Sequence, residues 1–387
     1  MLEPTPFLVN FEQHQIDDLR ARLSDTRWPE AQTVDDWSQG VPLSYLQQLC
    51  AYWCRDYDFS RLATCLNNYP QFTLPLFDTP IYFLHIKSKV KNAKPLLLTH
   101  GWPGSVLEFL KVIEPLSNPS ANGDGQRNAF HLVIPALPGY GFSGRPTKPG
   151  WGLEKIAQAW NELMRHLGYS NYYAQGGDWG AAVTSEIGRQ NLGDCAAIHL
   201  NMPTSWPPPE ARKSPTADDE RAFSRARYYR EWDSAYAHQQ ATRPQTLGYA
   251  LTDSPIAQAA WIVEKFYAWT DCDGHPENAL TRDEILDNIS LYWLTKSATS
   301  SARLYWESFG HAFKGEDSQI HLPTGCSIFP HEIVPTPRSW AEQRYKNIVY
   351  WRNLERGGHF AAFEQPGLFV QEIRDCFELI EQQQPTQ

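Results

Sequence analysis

A short segment near the middle of the chain, Gly176-Gly177-Asp178-Trp179-Gly180, separates a β-rich run from a helical pattern. A Gly-x-acid-x-Gly sequence in this setting is typical of a sharp turn whose central side chain projects freely. Glycines are needed on both sides because the neighbouring backbone and helix come too close for a Cβ atom. The segment therefore predicts a strand-turn-helix unit with the carboxylate of Asp178 at its apex.

Strand and helix patterns alternate on both sides of this turn. The predicted strands are PLLLTH, FHLVIPAL, YYAQ, CAAIHLNM, CSIF and NIVYW. The predicted helices between and after them are LEKIAQAWNELMRHLG, a helix beginning near Ala181, PRSWAEQRY and LFVQEIRDCFELIEQ. Such alternation indicates an α/β protein with a mostly parallel sheet that helices cover on both faces.

Two regions interrupt the alternation. The first residues contain the helical patterns FEQHQIDDLRARLSD and PLSYLQQLCAYWCRDY, followed by a hairpin around Asp78. A long helical and aromatic stretch separates CAAIHLNM from CSIF. We therefore predict an α/β-hydrolase fold with an N-terminal extension and a helical lid. The predicted divisions are an extension with the first strands at 1–90, core at 91–203, lid at 204–323 and core again at 324–387.

Bulk properties exclude several classes of function. Of the 387 residues, 42% are hydrophobic, and the formal net charge of −10 argues against a nucleic-acid partner. No apolar run approaches the about 20 residues that span a bilayer, and MLEPTPFLVNFEQHQ lacks the features of a signal peptide. The seven scattered cysteines are expected to be reduced. We expect a cytoplasmic protein without a metal or cofactor.

The central acid of the turn is a candidate nucleophile. A carboxylate is already ionised at neutral pH, so Asp178 could attack an electrophile without a general base. The N-terminus of the following helix would favour an anion at this position. The alternative is that Asp178 only caps the helix, since aspartate is a good N-cap residue.

The strand PLLLTH leads into His100-Gly101-Trp102-Pro103-Gly104. In this fold, that loop supplies one amide of an oxyanion hole, and the residue after the nucleophile supplies the other. The predicted donors are the N–H groups of Trp102 and Trp179, unless the loop is an ordinary turn. We expect His100 itself to be structural.

The candidate general base is His359, in Arg356-Gly357-Gly358-His359-Phe360 after the last strand. A histidine on a late glycine-rich loop fits the chain order nucleophile, acid, histidine. Glu332 directly follows the strand CSIF and is the candidate acid. Asn201, at the other place where this fold carries an acid, has no charge to stabilise an imidazolium.

One motif of another kind is a decoy. Residues 139–144 match G-x-G-x-x-G after a strand, but Arg145-Pro146 prevents the helix that a dinucleotide site requires. Ser143 is not expected to be a nucleophile, because the glycine that should follow it at position 145 is Arg145.

Taken together, the motifs resemble those of the microsomal-type epoxide hydrolases, a family with fungal soluble and insect juvenile-hormone members. The resemblance covers nearly the whole chain and is carried by these segments: Arg27-Trp28-Pro29, Tyr69-Pro70-Gln71-Phe72, His100-Gly101-Trp102-Pro103-Gly104-Ser105, Gly177-Asp178-Trp179-Gly180 and Gly357-Gly358-His359-Phe360. Mammalian members have an N-terminal membrane anchor, which we do not expect here.

The resemblance implies a reaction and two further residues. Tyr236 and Tyr305 match the family's lid tyrosines, which donate hydrogen bonds to the epoxide oxygen and help bind the substrate. The expected partners are water and an apolar or aromatic epoxide, in keeping with the 15 tryptophans, and a second copy of the chain in a homodimer. The alternatives are a haloalkane or haloacid dehalogenase and a non-catalytic ligand-binding relative.

Overall fold

The computed structural model describes residues 3–119, 128–312 and 319–383. These residues form a nine-stranded sheet. Its strands are β1 Thr5–Pro6, β2 Gln71–Leu76, β3 Thr79–Ile86, β4 Lys94–Thr99, β5 Phe130–Pro135, β6 Tyr172–Gly176, β7 Cys195–Leu200, β8 Thr324–Ile328 and β9 Ile348–Asn353. Every strand predicted from the sequence is present, and β2 and β3 form the expected hairpin.

The strand order is β1-β2-β3-β5-β4-β6-β7-β8-β9. The pairs from β5 through β4 to β9 are parallel, whereas β1, β2 and β3 pair antiparallel at one side. The chain goes from β4 to β5 on one side and then returns to β6 on the other. This reversal leaves a crevice beyond the carboxyl end of β4, which is where ligands bind in open α/β sheets.

Helices cover both faces of the sheet, as predicted. The α-helices of the described residues are α1 Gln13–Ser24, α2 Leu43–Arg55, α3 Ser60–Asn67, α4 Leu110–Ser117, α5 Leu153–His166, α6 Asp178–Gln190, α7 Pro209–Lys213, α8 Ala217–Tyr228, α9 Ala235–Thr242, α10 Pro244–Asp253, α11 Pro255–Trp269, α12 Arg282–Leu294, α13 Ala298–Ala312, α14 Arg338–Arg344, α15 Ala361–Glu364 and α16 Pro366–Gln383. In β4, Leu96 and Leu98 pack in the hydrophobic cluster of α4 and α16, and Leu97 in that of α5 and α6.

The N-terminal extension packs against the lid helix α12. The indole of Trp53 donates a hydrogen bond to the Ser290 hydroxyl at 2.9 Å. The carboxylate of Asp287 accepts one from the Tyr57 hydroxyl at 2.7 Å and pairs with Arg61 at 2.8 Å. The extension therefore braces the helices that lie above the core.

Helices α7 to α13 lie between β7 and β8, where the sequence predicted a lid. The divisions of the chain at 90/91, 203/204 and 323/324 stay predictions.

All seven cysteines lie within the described ranges and are free thiols. Among the described residues, no helix is both long and apolar enough to cross a membrane.

Candidate active site

The sheet register brings two predicted loops together. Thr99 at the end of β4 is paired with Gly176 at the end of β6. Because these strands are parallel, the loops that follow them leave the same edge of the sheet. The Trp102 loop and the Asp178 turn are therefore neighbours, although 76 residues separate their central residues.

The turn at Asp178 is as tight as its glycines predict. A Cβ atom on Gly176 would lie 2.1 Å from the carbonyl oxygen of Gly180, and one on Gly180 would lie 1.9 Å from that of Thr99. Asp178 has a φ of +50°, a conformation that costs a non-glycine residue on the order of 1–3 kcal/mol and that clusters at functional sites.

The helix starts earlier than the sequence indicated. α6 begins at Asp178 and not near Ala181, because the turn leads straight into the first helical hydrogen bond, from Ala181 N–H to the Gly177 carbonyl. Gly177, and not Asp178, holds the N-cap position of α6. The interpretation of Asp178 as the N-cap residue is therefore wrong.

The two oxygens of the Asp178 carboxylate have different partners. The backbone N–H of Trp102 donates to Oδ1 at 2.8 Å. Oδ2 lies 3.2 Å from Nε2 of His359. Trp179, the next residue of the turn, is 2% exposed and lines the cavity beside the carboxylate. The carboxylate thus has the Trp102 loop on one side and the histidine on the other.

His359 and Glu332 form a buried pair. Nδ1 of His359 lies 2.5 Å from Oε1 of Glu332, which also accepts the N–H of Ile333 at 2.7 Å. Burial alone would lower the pKa of the His359 imidazole, but the charges of Glu332 and Asp178 outweigh it and raise that pKa well above its usual value. The resting site therefore favours an imidazolium between two carboxylates.

The loop that carries His359 is held by its own backbone contacts. The His359 N–H donates to the carbonyl of Trp269 at 2.9 Å. The Glu364 carboxylate accepts N–H groups of Gly358 and Phe360 at 3.1 and 2.9 Å. These contacts fix the direction of the imidazole toward Asp178.

The other candidate position for the acid takes no part in this pair. Asn201 accepts a hydrogen bond from the amide of Gln175 at 2.7 Å and donates to the Ser327 carbonyl at 3.4 Å. The geometry thus pairs His359 with Glu332, as the sequence predicted.

The two lid tyrosines, Tyr236 and Tyr305, lie over the Trp102 loop. The ring of Tyr236 stacks on that of Trp102 at 4.9 Å, and the ring of Tyr305 meets Trp102 edge-on at 5.8 Å. Both tyrosines are buried, and burial raises the pKa of each phenol well above its usual value. Both therefore stay protonated at neutral pH and can donate hydrogen bonds.

A cavity of about 690 Å³ leads from the lid to Asp178. Asp178, Tyr236 and Tyr305 line its inner end. Most of the remaining wall is apolar and aromatic: Trp179, Met202, Trp206, Phe223, Phe309, Ile333, Val334 and Trp340. Three arginines, Arg212, Arg227 and Arg230, also line it and are exposed to solvent.

Sequence reasoning missed three residues of this region. Trp269 and Tyr229 carried no signal that distinguished them from other lid aromatics. Glu108 carried one, since it is a lone carboxylate in the apolar run VLEFL that follows the Trp102 loop. Its Oε1 is buried, and burial raises the pKa of the carboxyl to about 8.

The side chains of His100, which we expected to be structural, and of Ser143, which we did not expect to be a nucleophile, both form hydrogen bonds with the backbone. Nε2 of His100 accepts the N–H of Leu137 at 3.1 Å, and Nδ1 lies 2.9 Å from the Gly101 carbonyl. The Ser143 hydroxyl donates to the Ala136 carbonyl at 2.7 Å.

Comparisons with known proteins agree with this geometry. Residues 4–109 match the family model for the epoxide hydrolase N terminus, and residues 94–246 match that for the alpha/beta hydrolase fold. A relative from Stigmatella aurantiaca is 52% identical over 96% of this chain and 84% of its own length. Epoxide hydrolase 1 of Sus scrofa is 35% identical, with 98% of this chain and 89% of the relative covered.

A solved structure extends the similarity to three dimensions. The epoxide hydrolase of Aspergillus niger superposes with a TM-score of 0.88 at 33% identity, covering 98% of this chain and 97% of that one. The similarity spans the extension, the core and the lid together. The chain therefore belongs to the epoxide hydrolase family.

Proposed function

We propose that this protein converts an apolar or aromatic epoxide into a vicinal diol through a covalent ester of Asp178. The arrangement of the Asp178 carboxylate carries the proposal. One of its oxygens accepts the Trp102 amide, and the other lies 3.2 Å from His359. The carboxylate is thus directed into a largely apolar cavity and lies next to the imidazole.

In the first step, Tyr236 and Tyr305 donate hydrogen bonds to the oxirane oxygen while Asp178 attacks a ring carbon. A carbon–oxygen bond of the ring breaks, a bond from the carboxylate to carbon forms, and the released alkoxide takes a proton from a phenol. The phenols suit this role because they are protonated at neutral pH and give a proton readily only to a strong base such as an alkoxide.

In the second step, water hydrolyses the ester. Esterification removes the negative charge of Asp178, one of the two carboxylates that raise the pKa of His359. The imidazolium then loses its proton and becomes a general base, oriented by Glu332. His359 takes a proton from a water molecule that adds to the ester carbonyl, and the N–H groups of Trp102 and Trp179 stabilise the oxyanion. The bond between the carbonyl carbon and the glycol oxygen then breaks, and His359 gives its proton to that oxygen. The diol leaves, and the proton that remains on the carboxyl of Asp178 returns to His359.

A single turnover in heavy-oxygen water tests the covalent step. The heavy oxygen should appear in the peptide that contains Asp178, because water attacks the ester carbonyl. Label in the diol alone would mean that water attacks the epoxide directly. Asp178→Ala should abolish turnover, and normal diol formation by this variant would refute the assignment.

The lid tyrosines distinguish this function from that of a dehalogenase. A dehalogenase needs donors for a halide and no paired phenols for an alkoxide. We expect Tyr236→Phe and Tyr305→Phe each to lower epoxide turnover, as measured with styrene oxide. Unchanged turnover in both variants would contradict the proposed roles. A non-catalytic relative would form no Asp178 ester at all.

Two expectations concern the whole protein. The cytoplasmic location and the homodimer stay predictions, to be checked by cell fractionation and by light scattering of the purified protein.

A further inference from the structure

A third tyrosine lies at the end of the cavity where the epoxide would bind. The hydroxyl of Tyr229 is 3.1 Å from the hydroxyl of Tyr236, and their rings meet edge-on at 6.5 Å. Tyr229 begins a π-helical turn, Tyr229–Asp233, that directly precedes α9. Such turns are rare and are frequent at functional sites.

The number of phenol protons determines which hydroxyl donates in the hydrogen bond between Tyr229 and Tyr236 during the reaction. A phenol has one proton to donate, and either tyrosine could donate in the resting enzyme. Once Tyr236 points its proton at an oxirane oxygen, only Tyr229 has a proton left for the bond between them. Tyr236 then accepts a hydrogen bond at its oxygen while it donates its own proton.

We propose that Tyr229 is a positioning residue that donates to the oxygen of Tyr236, and that Tyr236 is thereby the phenol that protonates the opened epoxide. The proposal rests on the function proposed above. The alkoxide oxygen gains the proton of Tyr236, and the resulting phenolate keeps a hydrogen bond from Tyr229. The phenolate later takes up, through water, the proton that His359 loses when Asp178 is esterified.

A buried cation next to Tyr236 supports the assignment of Tyr236, and not Tyr305, as the proton donor. The Lys265 ammonium lies 4.6 Å from the centre of the Tyr236 ring and is only 3% exposed. It is held at 2.6 Å by Asp233, the last residue of the π-helical turn. A cation over an aromatic ring is attracted to it, and more strongly when the ring carries negative charge.

Tyr305 lies in a different setting. Its hydroxyl is hydrogen-bonded to the Trp179 side chain and to no phenol, and among the described residues no cation lies over its ring. The ionisable groups that face Tyr236 are Asp178, Tyr229, Tyr305 and Lys265. Tyr305 therefore orients the epoxide oxygen, whereas Tyr236 transfers the proton.

The test compares Tyr229→Phe with Tyr228→Phe. Tyr228 is the adjacent residue and is 56% exposed, which makes it a matched control. Ester formation with styrene oxide is followed by rapid quenching and intact-protein mass spectrometry, and ester hydrolysis by the decay of that species. We expect Tyr229→Phe to slow ester formation about tenfold, the value of one lost hydrogen bond, and to leave hydrolysis unchanged. Tyr228→Phe should change neither rate.

A double-mutant cycle separates hydrogen bonding from packing. If Tyr229 acts through the Tyr236 hydroxyl, its replacement costs nothing further in the Tyr236→Phe enzyme and keeps its full cost in the Tyr305→Phe enzyme. Equal losses in both backgrounds, or no loss in the wild-type background, would overturn the inference. A wild-type enzyme that forms no ester would refute the proposed function and, with it, this inference.

Discussion

Replacing Glu108 by glutamine should change how the stability of the protein depends on pH. Glu108 lies in the 3-10 turn Val106–Phe109, directly after the Trp102 loop, and its buried Oε1 has no hydrogen-bond partner among the described residues. Burial raises its pKa from 4.5 to about 8, although the charge of His359 opposes the rise. At neutral pH the folded protein therefore holds a proton that the unfolded chain has released.

The sign and size of the effect follow from this difference in pKa. Between pH 4.5 and about 8 the folded state binds more protons than the unfolded chain does. The contribution of Glu108 to the free energy of unfolding is therefore fully present below pH 4.5 and is lost as the pH rises toward 8. At about 1.4 kcal/mol per pH unit, the loss amounts to about 5 kcal/mol. Glutamine does not titrate, so the variant lacks this loss.

Urea unfolding at about pH 5 and about pH 8, followed by tryptophan fluorescence, measures the free energy of unfolding of both proteins. The wild type should lose several kcal/mol relative to Glu108→Gln between these two pH values. Glu114→Gln, on the exposed side of α4, is the matched control and should behave like the wild type. If the free energy of unfolding depended on pH in the same way in the wild type and in Glu108→Gln, the reasoning would be refuted.

Three further results are expected at the active site. Glu332→Gln should lower the pKa of the catalytic imidazole and slow ester hydrolysis about 100-fold or more, so that mass spectrometry detects accumulated ester while its formation continues. Gly101→Ala would place a Cβ atom 2.2 Å from the nucleophile's Oδ1, and the displaced carboxylate should lower kcat/KM about 100-fold at nearly unchanged secondary structure by circular dichroism. Arg212 and Arg227 line the cavity without an ion pair to any described residue. At low salt, an epoxide that carries a carboxylate should therefore show a lower KM than its methyl ester. The double variant Arg212→Gln/Arg227→Gln should remove this difference in KM.

The sheet and the loops that carry the candidate catalytic residues could be predicted, because the local sequence pattern and the topology of a parallel sheet indicate the same arrangement. The alternation of strands and helices predicts a parallel sheet, and parallel strands end at one edge. The motifs around Trp102, Asp178 and His359 each follow a predicted strand, so their meeting at that edge could be expected. Their glycines added a local signal, since close backbone contacts at Gly176 and Gly180 leave no room for side chains.

The lid was less predictable because no comparable rule orders its helices. Tyr236 and Tyr305 could be selected only by resemblance to a family. Tyr229 and Lys265 act through a contact with Tyr236 that depends on a π-helical turn, and such a turn leaves no periodicity in the sequence. Trp269 contacts the His359 loop through its backbone carbonyl, which any residue could provide, and its indole packs edge-on against the His359 imidazole at 5.0 Å. Nothing in the sequence distinguishes it from the other lid tryptophans in this respect.

The division between core and lid has a chemical consequence. In the proposed mechanism, the core loops supply the charged groups, Asp178, His359 and Glu332, and the lid supplies phenols that are neutral until the epoxide opens. Esterification neutralises Asp178 at the moment when a lid phenol gives up its proton. The same event removes the anion that helps to hold the proton of His359, since Oδ2 lies only 3.2 Å from Nε2. Opening the epoxide therefore prepares the base for the second step, and the order of the two steps follows from the charge of one carboxylate.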